Sequence, residues 1–134
     1  RLYMRITRIL LATLIILAAT SCSKLSKEAK EIVGSYYNTE LSQTEPVMEL
    51  RDDGTCLVRA IRPGVLTYSV GGRWNVERDS LIMQLDPTTL EANGDTMLIG
   101  RIPTHYASKI IDHTDFNLQL EQGGATYLYQ RHAR

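Results

Sequence analysis

The stretch Val47-Met-Glu-Leu-Arg-Asp-Asp-Gly-Thr-Cys-Leu-Val-Arg-Ala-Ile61 decides the fold. Met48 and Leu50 alternate with Glu49 and Arg51, the period of a half-buried strand. Asp52-Asp53-Gly54 follows, and Thr55–Ile61 is again rich in residues that suit strands. An acidic pair and a glycine between two such runs form a hairpin turn, because glycine adopts the left-handed backbone conformation that the turn needs.

The same signature recurs on both sides. Ile32–Asn38 precedes it with Val33, Tyr36 and Tyr37. After Pro63-Gly64 come Val65–Val70, then Gly71-Gly72, read as a hairpin turn, then Arg73–Glu77, ending at Arg78-Asp79. Ser80–Asp86 places Leu81, Met83 and Leu85 on one face, and Asn93-Gly94-Asp95 leads into Thr96–Ile102. Tyr106–His113 is less regular. Phe116–Glu121 puts Phe116, Leu118 and Leu120 inward, and Gly123-Gly124 turns the chain into Ala125–Arg131, with Tyr127 and Tyr129 on one face. Of these ten segments, eight or nine are expected to be strands. With no intervening helices and no long excursion for a crossing connection, consecutive hairpins are favoured. Closure removes their edges. The expectation is an all-β fold over residues 31–134: an up-and-down antiparallel meander closed into a barrel of about eight strands.

The first 21 residues read as an address. They hold Arg1, Arg5 and Arg8 and no acid, and Ile9–Ala19 is an apolar stretch of 11 residues that holds a single hydroxyl, on Thr13. Such a run rises about 16 Å as a helix, against a hydrocarbon core of about 30 Å. It is too short to span comfortably and suits a cleavable signal peptide with its start at Met4. Small residues, Ala19-Thr20-Ser21, then precede Cys22. Small side chains let the backbone lie in a peptidase cleft, and several acyl chains on one cysteine anchor stably where one chain gives only marginal binding. Residues 22–30 are read as the tether from the anchor. Ser26–Ile32 is expected to be a short helix, acting as tether and lid.

Without the first 21 residues the chain carries 12 Lys+Arg against 15 Asp+Glu, a net charge of −3. That balance, with no basic cluster, argues against nucleic acid as a partner. An apolar content of 43% excludes a disordered tail, and the length of 134 residues excludes a two-domain enzyme.

Two resemblances follow from these residues. Ala19-Thr20-Ser21-Cys22 resembles the lipobox of bacterial lipoproteins. It implies a diacylglyceryl group on Cys22 after cleavage of residues 1–21 and acylation of the freed amine. Ser23-Lys-Leu-Ser-Lys27 lacks the acidic signals that hold related lipoproteins in the inner membrane or send them to the surface. The resemblance therefore implies an outer-membrane anchor in a Gram-negative bacterium, with the body facing the periplasm. Gly34-Ser35-Tyr36 is similar to the Gly-x-Trp that opens lipocalins. Met48–Thr55, Tyr68–Leu81, Ile110…Asn117–Leu120 and Tyr127-Leu-Tyr129 resemble, in order, the blocks of small lipocalin-like bacterial lipoproteins. The resemblance covers residues 31–131 and implies a barrel that binds a small apolar or amphipathic ligand.

No catalytic constellation is visible. His105, His113 and His132 share no metal-ligand spacing, and no CxxC, Gly-x-Ser-x-Gly or phosphate loop occurs. Asp112-His113-Thr114-Asp115 reads as a solvated turn before it reads as a metal site. Cys56 reads as a buried structural cysteine. The expectation is a protein that is not an enzyme and carries no cofactor or metal. Tyr36, Tyr68 and Trp74 are the candidate ligand-binding residues. Trp74 is first a plug at the barrel floor and second a pocket wall. The alternative is a barrel filled by its own side chains, with Met48, Leu50, Tyr68, Trp74, Met83 and Phe116 inward, that docks onto an envelope protein.

Overall fold

Alternation and turn chemistry produce eight strands in the computed structural model, which describes residues 24–132. A short helix, α1 (Lys27–Glu31), precedes β1 (Gly34–Tyr37), β2 (Met48–Leu50), β3 (Thr55–Arg62) and β4 (Leu66–Glu77). Then come β5 (Ser80–Gly94), a 3-10 turn at Thr96–Leu98, β6 (His105–His113), β7 (Asn117–Gln122) and β8 (Ala125–His132). Each strand pairs antiparallel with the next, and β8 returns to β1 through Tyr36 opposite Arg131. The result is a closed up-and-down barrel of eight strands, as the turn spacing predicts. The signal segment and Cys22 lie outside the described residues.

Two of the expected turns are present as read. Asp53 accepts from the Thr55 amide at 2.9 Å and hydroxyl at 2.6 Å, which holds its carboxyl below the usual range. Gly123 and Gly124, both with positive φ, form the two-residue connection between Gln122 and Ala125.

Three expectations are corrected. Gly71-Gly72 is not a turn: β4 runs straight through it, joining Val65–Val70 to Arg73–Glu77. Glycine is needed there for close approach. A Cβ on Gly72 would lie 2.0 Å from the Gln84 carbonyl oxygen of β5. Thr96–Ile102 is not a strand, because the Asp95 side chain accepts from the Met97 amide and winds a 3-10 turn instead. Phe116 does not face the core; it is 75% exposed. The Thr114 hydroxyl accepts from the amides of Phe116 and Asn117, so the ladder begins only at Asn117, opposite Gln130. Leu118 and Leu120 are buried as expected.

β5 carries one irregularity. Residues 87–90 loop out opposite Val70 alone, between the pairs Gly71↔Asp86 and Ser69↔Glu91. Pro87 has no amide to give a ladder. Asp86 accepts from the Thr88 amide and hydroxyl, while the Thr89 hydroxyl accepts from the Gly71 amide at 2.8 Å.

The core sits at one end. Ile32, Tyr36, Leu50, Cys56, Leu81 and Leu118 are the largest fully buried side chains, joined by Trp74 and Val76. Helix α1 and its flanks close this end by burying Leu25, Ala29 and Ile32. The helix is bolted down rather than hung from a loop. The Ser26 hydroxyl donates to the Val76 carbonyl at 2.8 Å and accepts from the Ala29 amide at 3.2 Å. The Ser26 amide donates to Asn75 Oδ1 at 2.9 Å. Arg131, inward on β8, donates to the Glu31 carbonyl at 2.8 Å and the Val33 carbonyl at 3.1 Å.

Candidate functional site

The strand register separates a packed half from a hollow one. In the closed half the inward positions carry Leu50, Cys56, Trp74, Leu81 and Leu118, which interlock. The cavity lining includes small inward residues: Ala60, opposite Tyr68 on β4, and Ser108, opposite Leu81 at the border of the packed half. An eight-stranded barrel is just wide enough for side chains to fill it, or to hold one small ligand if they do not. Here the small side chains leave a cavity of about 840 Å³. That lies within the range of small-molecule sites, about 300–1,000 Å³.

Its walls are Val58, Met48, Met83 and Leu120 with four tyrosines, Tyr68, Tyr106, Tyr127 and Tyr129. Ser108, a buried polar residue, adds a hydroxyl. The mouth is formed by the loops between β1 and β2 and between β5 and β6, through Leu41 and Leu98, both exposed. Val65 and Met97, the latter 90% exposed, extend the apolar rim.

Charge is confined to the edge. Among the described residues the charged side chains in the lining are Arg59 and Arg62, and no carboxylate joins them. Arg59 lies on the outward register of β3, where its guanidinium donates to the Pro46 carbonyl at 2.8 Å and to Glu49 at 3.1 Å. Arg62 shares the inward register with Leu66 but sits exposed at the mouth.

The residues expected at the ligand separate in depth. Tyr68 lines the cavity. Tyr36 lies below it, fully buried, and its hydroxyl donates to the Ile32 carbonyl at 2.6 Å. Burial pushes its phenol up to about 12, against the partial opposition of Arg131. Trp74 lies at the same end, buried, its Nε1 donating to the Arg51 carbonyl at 2.8 Å. The cavity walls therefore bring together Tyr68 with three tyrosines not singled out from sequence. The signal for two of them was the shared face of Tyr127 and Tyr129.

Cys56 is buried between Leu50 and Gly72, and burial pushes its thiol up to about 11, against the opposing pull of Arg51 and Arg73. That is the reverse of what a thiolate nucleophile needs. His113 stands 3.6 Å from Glu31. Among the described residues no three His, Cys, Asp or Glu side chains converge on a metal position.

Comparison with known proteins gives a likeness of shape. No family model matches the chain, and no curated protein matches it. A crystal structure of an uncharacterized protein from Bacteroides eggerthii DSM 20697 is similar over 75% of this chain and 95% of its own, at 13% identity and a TM-score of 0.45.

Proposed function

We propose that this chain is a lipid-anchored envelope lipoprotein whose barrel, lipocalin-like in plan, binds a small apolar or amphipathic ligand. The observation that carries the reading is the cavity of about 840 Å³, open at one end and walled by apolar and aromatic side chains. A binding site of this kind needs enclosure, apolar area and a few placed polar groups, and the walls supply all of them.

The anchor part of the reading rests on the sequence before Lys24: the basic start, the apolar run and the small residues ahead of Cys22. The fold is compatible with it. The Lys24 carbonyl accepts from Asn75 Nδ2 at the closed end of the barrel. A lipid on Cys22, two residues upstream, would hold the closed end at the outer membrane and leave the mouth facing the periplasm.

A second reading, docking onto an envelope protein, is favoured by the apolar rim of Val65, Met97 and Leu98. Native mass spectrometry of the chain released from its host membranes separates the two. A retained small molecule supports the binding reading. A bare chain that always co-purifies with one envelope protein replaces it with the docking reading. Metabolic labelling with a clickable fatty acid tests the anchor: wild type should label and Cys22→Ser should not. Equal labelling would refute lipidation at Cys22.

A further inference from the structure

The four cavity tyrosines come from three strands: Tyr68 on β4, Tyr106 on β6, Tyr127 and Tyr129 on β8. Each is paired with a residue of the inward face: Ala60, Met83, Leu120 and Leu118 respectively. None of their hydroxyls has a hydrogen-bond partner among the described residues, in contrast to Tyr36. Nor are the hydroxyls of the half-buried Tyr68, Tyr106 and Tyr129 sealed in protein. Among the described residues the buried side-chain atom left without a partner is Arg131 Nε. These oxygens therefore open on the cavity. Burial raises the Tyr129 phenol above its ordinary value, and Tyr127 and Tyr106 lie close enough to raise it further.

A tyrosine used only for its shape would serve as well as phenylalanine. An inward hydroxyl ordinarily finds a partner. The chemistry of the walls narrows what that partner is. Among the described residues no charged side chain projects into the cavity, since Arg59 is turned out to Glu49, Arg62 stands at the mouth, and Arg131 is held at the closed end by the Glu31 and Val33 carbonyls. An ion held among the tyrosines would lose its hydration with nothing to balance it. A hydrocarbon chain would cover the hydroxyls without pairing them. Rings, by contrast, stack on tyrosine faces while their substituents meet the hydroxyls.

The geometry points to an uncharged, ring-bearing ligand with several hydrogen-bonding groups as the occupant, in preference to a fatty acyl chain. Tyr68, Tyr106, Tyr127 and Tyr129 set that specificity. The inference deepens the binding reading above and rests on it.

The test is equilibrium binding of radiolabelled estradiol, an uncharged fused-ring compound with a hydroxyl at each end, and of radiolabelled palmitate. The protein is the full chain in phospholipid nanodiscs, with empty nanodiscs subtracted. Wild type should bind estradiol more tightly than palmitate. In the triple variant Tyr106→Phe, Tyr127→Phe, Tyr129→Phe, estradiol should weaken by about two- to tenfold per hydroxyl it had paired. Palmitate should bind the variant as well or better. Because these hydroxyls hold no partner among the described residues, the variant should melt within a few degrees of wild type, and the single variant Tyr68→Phe provides a milder check. Tighter binding of palmitate by wild type, or estradiol binding unmoved in the triple variant, overturns the ligand class and leaves the binding reading standing. An acyl lipid retained in native mass spectrometry does the same. No saturable binding of either probe, with nothing retained, overturns both.

Discussion

Gly71→Ala and Gly72→Ala, one residue apart on β4, should have opposite effects on stability. On Gly72 an added Cβ would lie 2.0 Å from the Gln84 carbonyl oxygen and 2.9 Å from Leu85 Cα. Both are backbone, so no side-chain rotation relieves the clash. Ordinary contact begins at 3.4 Å, so β4 and β5 would have to part by more than 1 Å. Parting loosens the Gly72↔Leu85 pair and its neighbours Arg73↔Gln84 and Trp74↔Met83. Overpacking of this kind costs about 1–3 kcal/mol, and each ladder bond lost adds about 1 kcal/mol. On Gly71 the nearest atom is Thr89 Oγ1 at 3.5 Å, an ordinary contact. Replacing glycine by alanine at a compatible site stabilises by about 0.4–1 kcal/mol, chiefly by restricting the unfolded chain. In a domain of this size 1 kcal/mol moves the midpoint by about 4–8 °C. Gly72→Ala should therefore lower Tm by about 15 °C or more, and Gly71→Ala should leave it unchanged or raise it by a few degrees. Thermal melts followed by far-UV circular dichroism measure both. If the two variants melt alike, β4 is not continuous through these glycines and the close approach to β5 is wrong.

Trp74→Ala should cost about 3–5 kcal/mol, with the Arg51 carbonyl also losing its donor. Tryptophan emission in wild type should be blue-shifted and resist iodide, and easy quenching would place the indole at the surface. The fold holds Cys56 and Tyr36 protonated, with values pushed from 9.0 to about 11 and from 10.0 to about 12. Their contribution is complete below pH 9 and is lost as pH rises to 12, because the unfolded chain releases these protons first. Each group contributes a slope of up to about 1.4 kcal/mol per pH unit. Urea midpoints from pH 8 to 12 should fall accordingly, and Cys56→Ala should flatten the part between 9 and 11; an unchanged slope there refutes the assignment. Arg78 holds a positive φ in the turn between β4 and β5. Arg78→Gly should raise Tm slightly and Arg78→Val should lower it by the equivalent of about 1–2 kcal/mol; no difference between the two would show a relaxed turn.

What was legible in the sequence was local. Leu81, Met83 and Leu85 alternate with Ile82, Gln84 and Asp86, and that period puts them on one face of a strand, the buried one. Asp53-Gly54 and Gly123-Gly124 mark turns because their chemistry acts within a few residues. Gly71-Gly72 misled because glycine serves two purposes, a turn or a close approach, and the strand that approaches is β5. Phe116 misled because the Thr114 side chain shifts where the alternation begins.

Depth along the barrel was legible only for Trp74, read first as a plug at the floor. Tyr36 and Tyr68 look equivalent, aromatic residues expected to face inward. Helix α1 closes one end, and that closure places Tyr36 and Trp74 in the packed floor while Tyr68 stands in the hollow half. The cavity itself is a sum over eight strands. It exists because the small Ala60 and Ser108 line one space with Tyr68 and Tyr106, on strands far apart in the chain. The sequence by itself determined most of the strands and most of their faces, since those depend on neighbours one to four residues away. Only the tertiary structure decided that the barrel is half filled and that four tyrosines share one space, because enclosed volume depends on side chains that meet solely through the closed register.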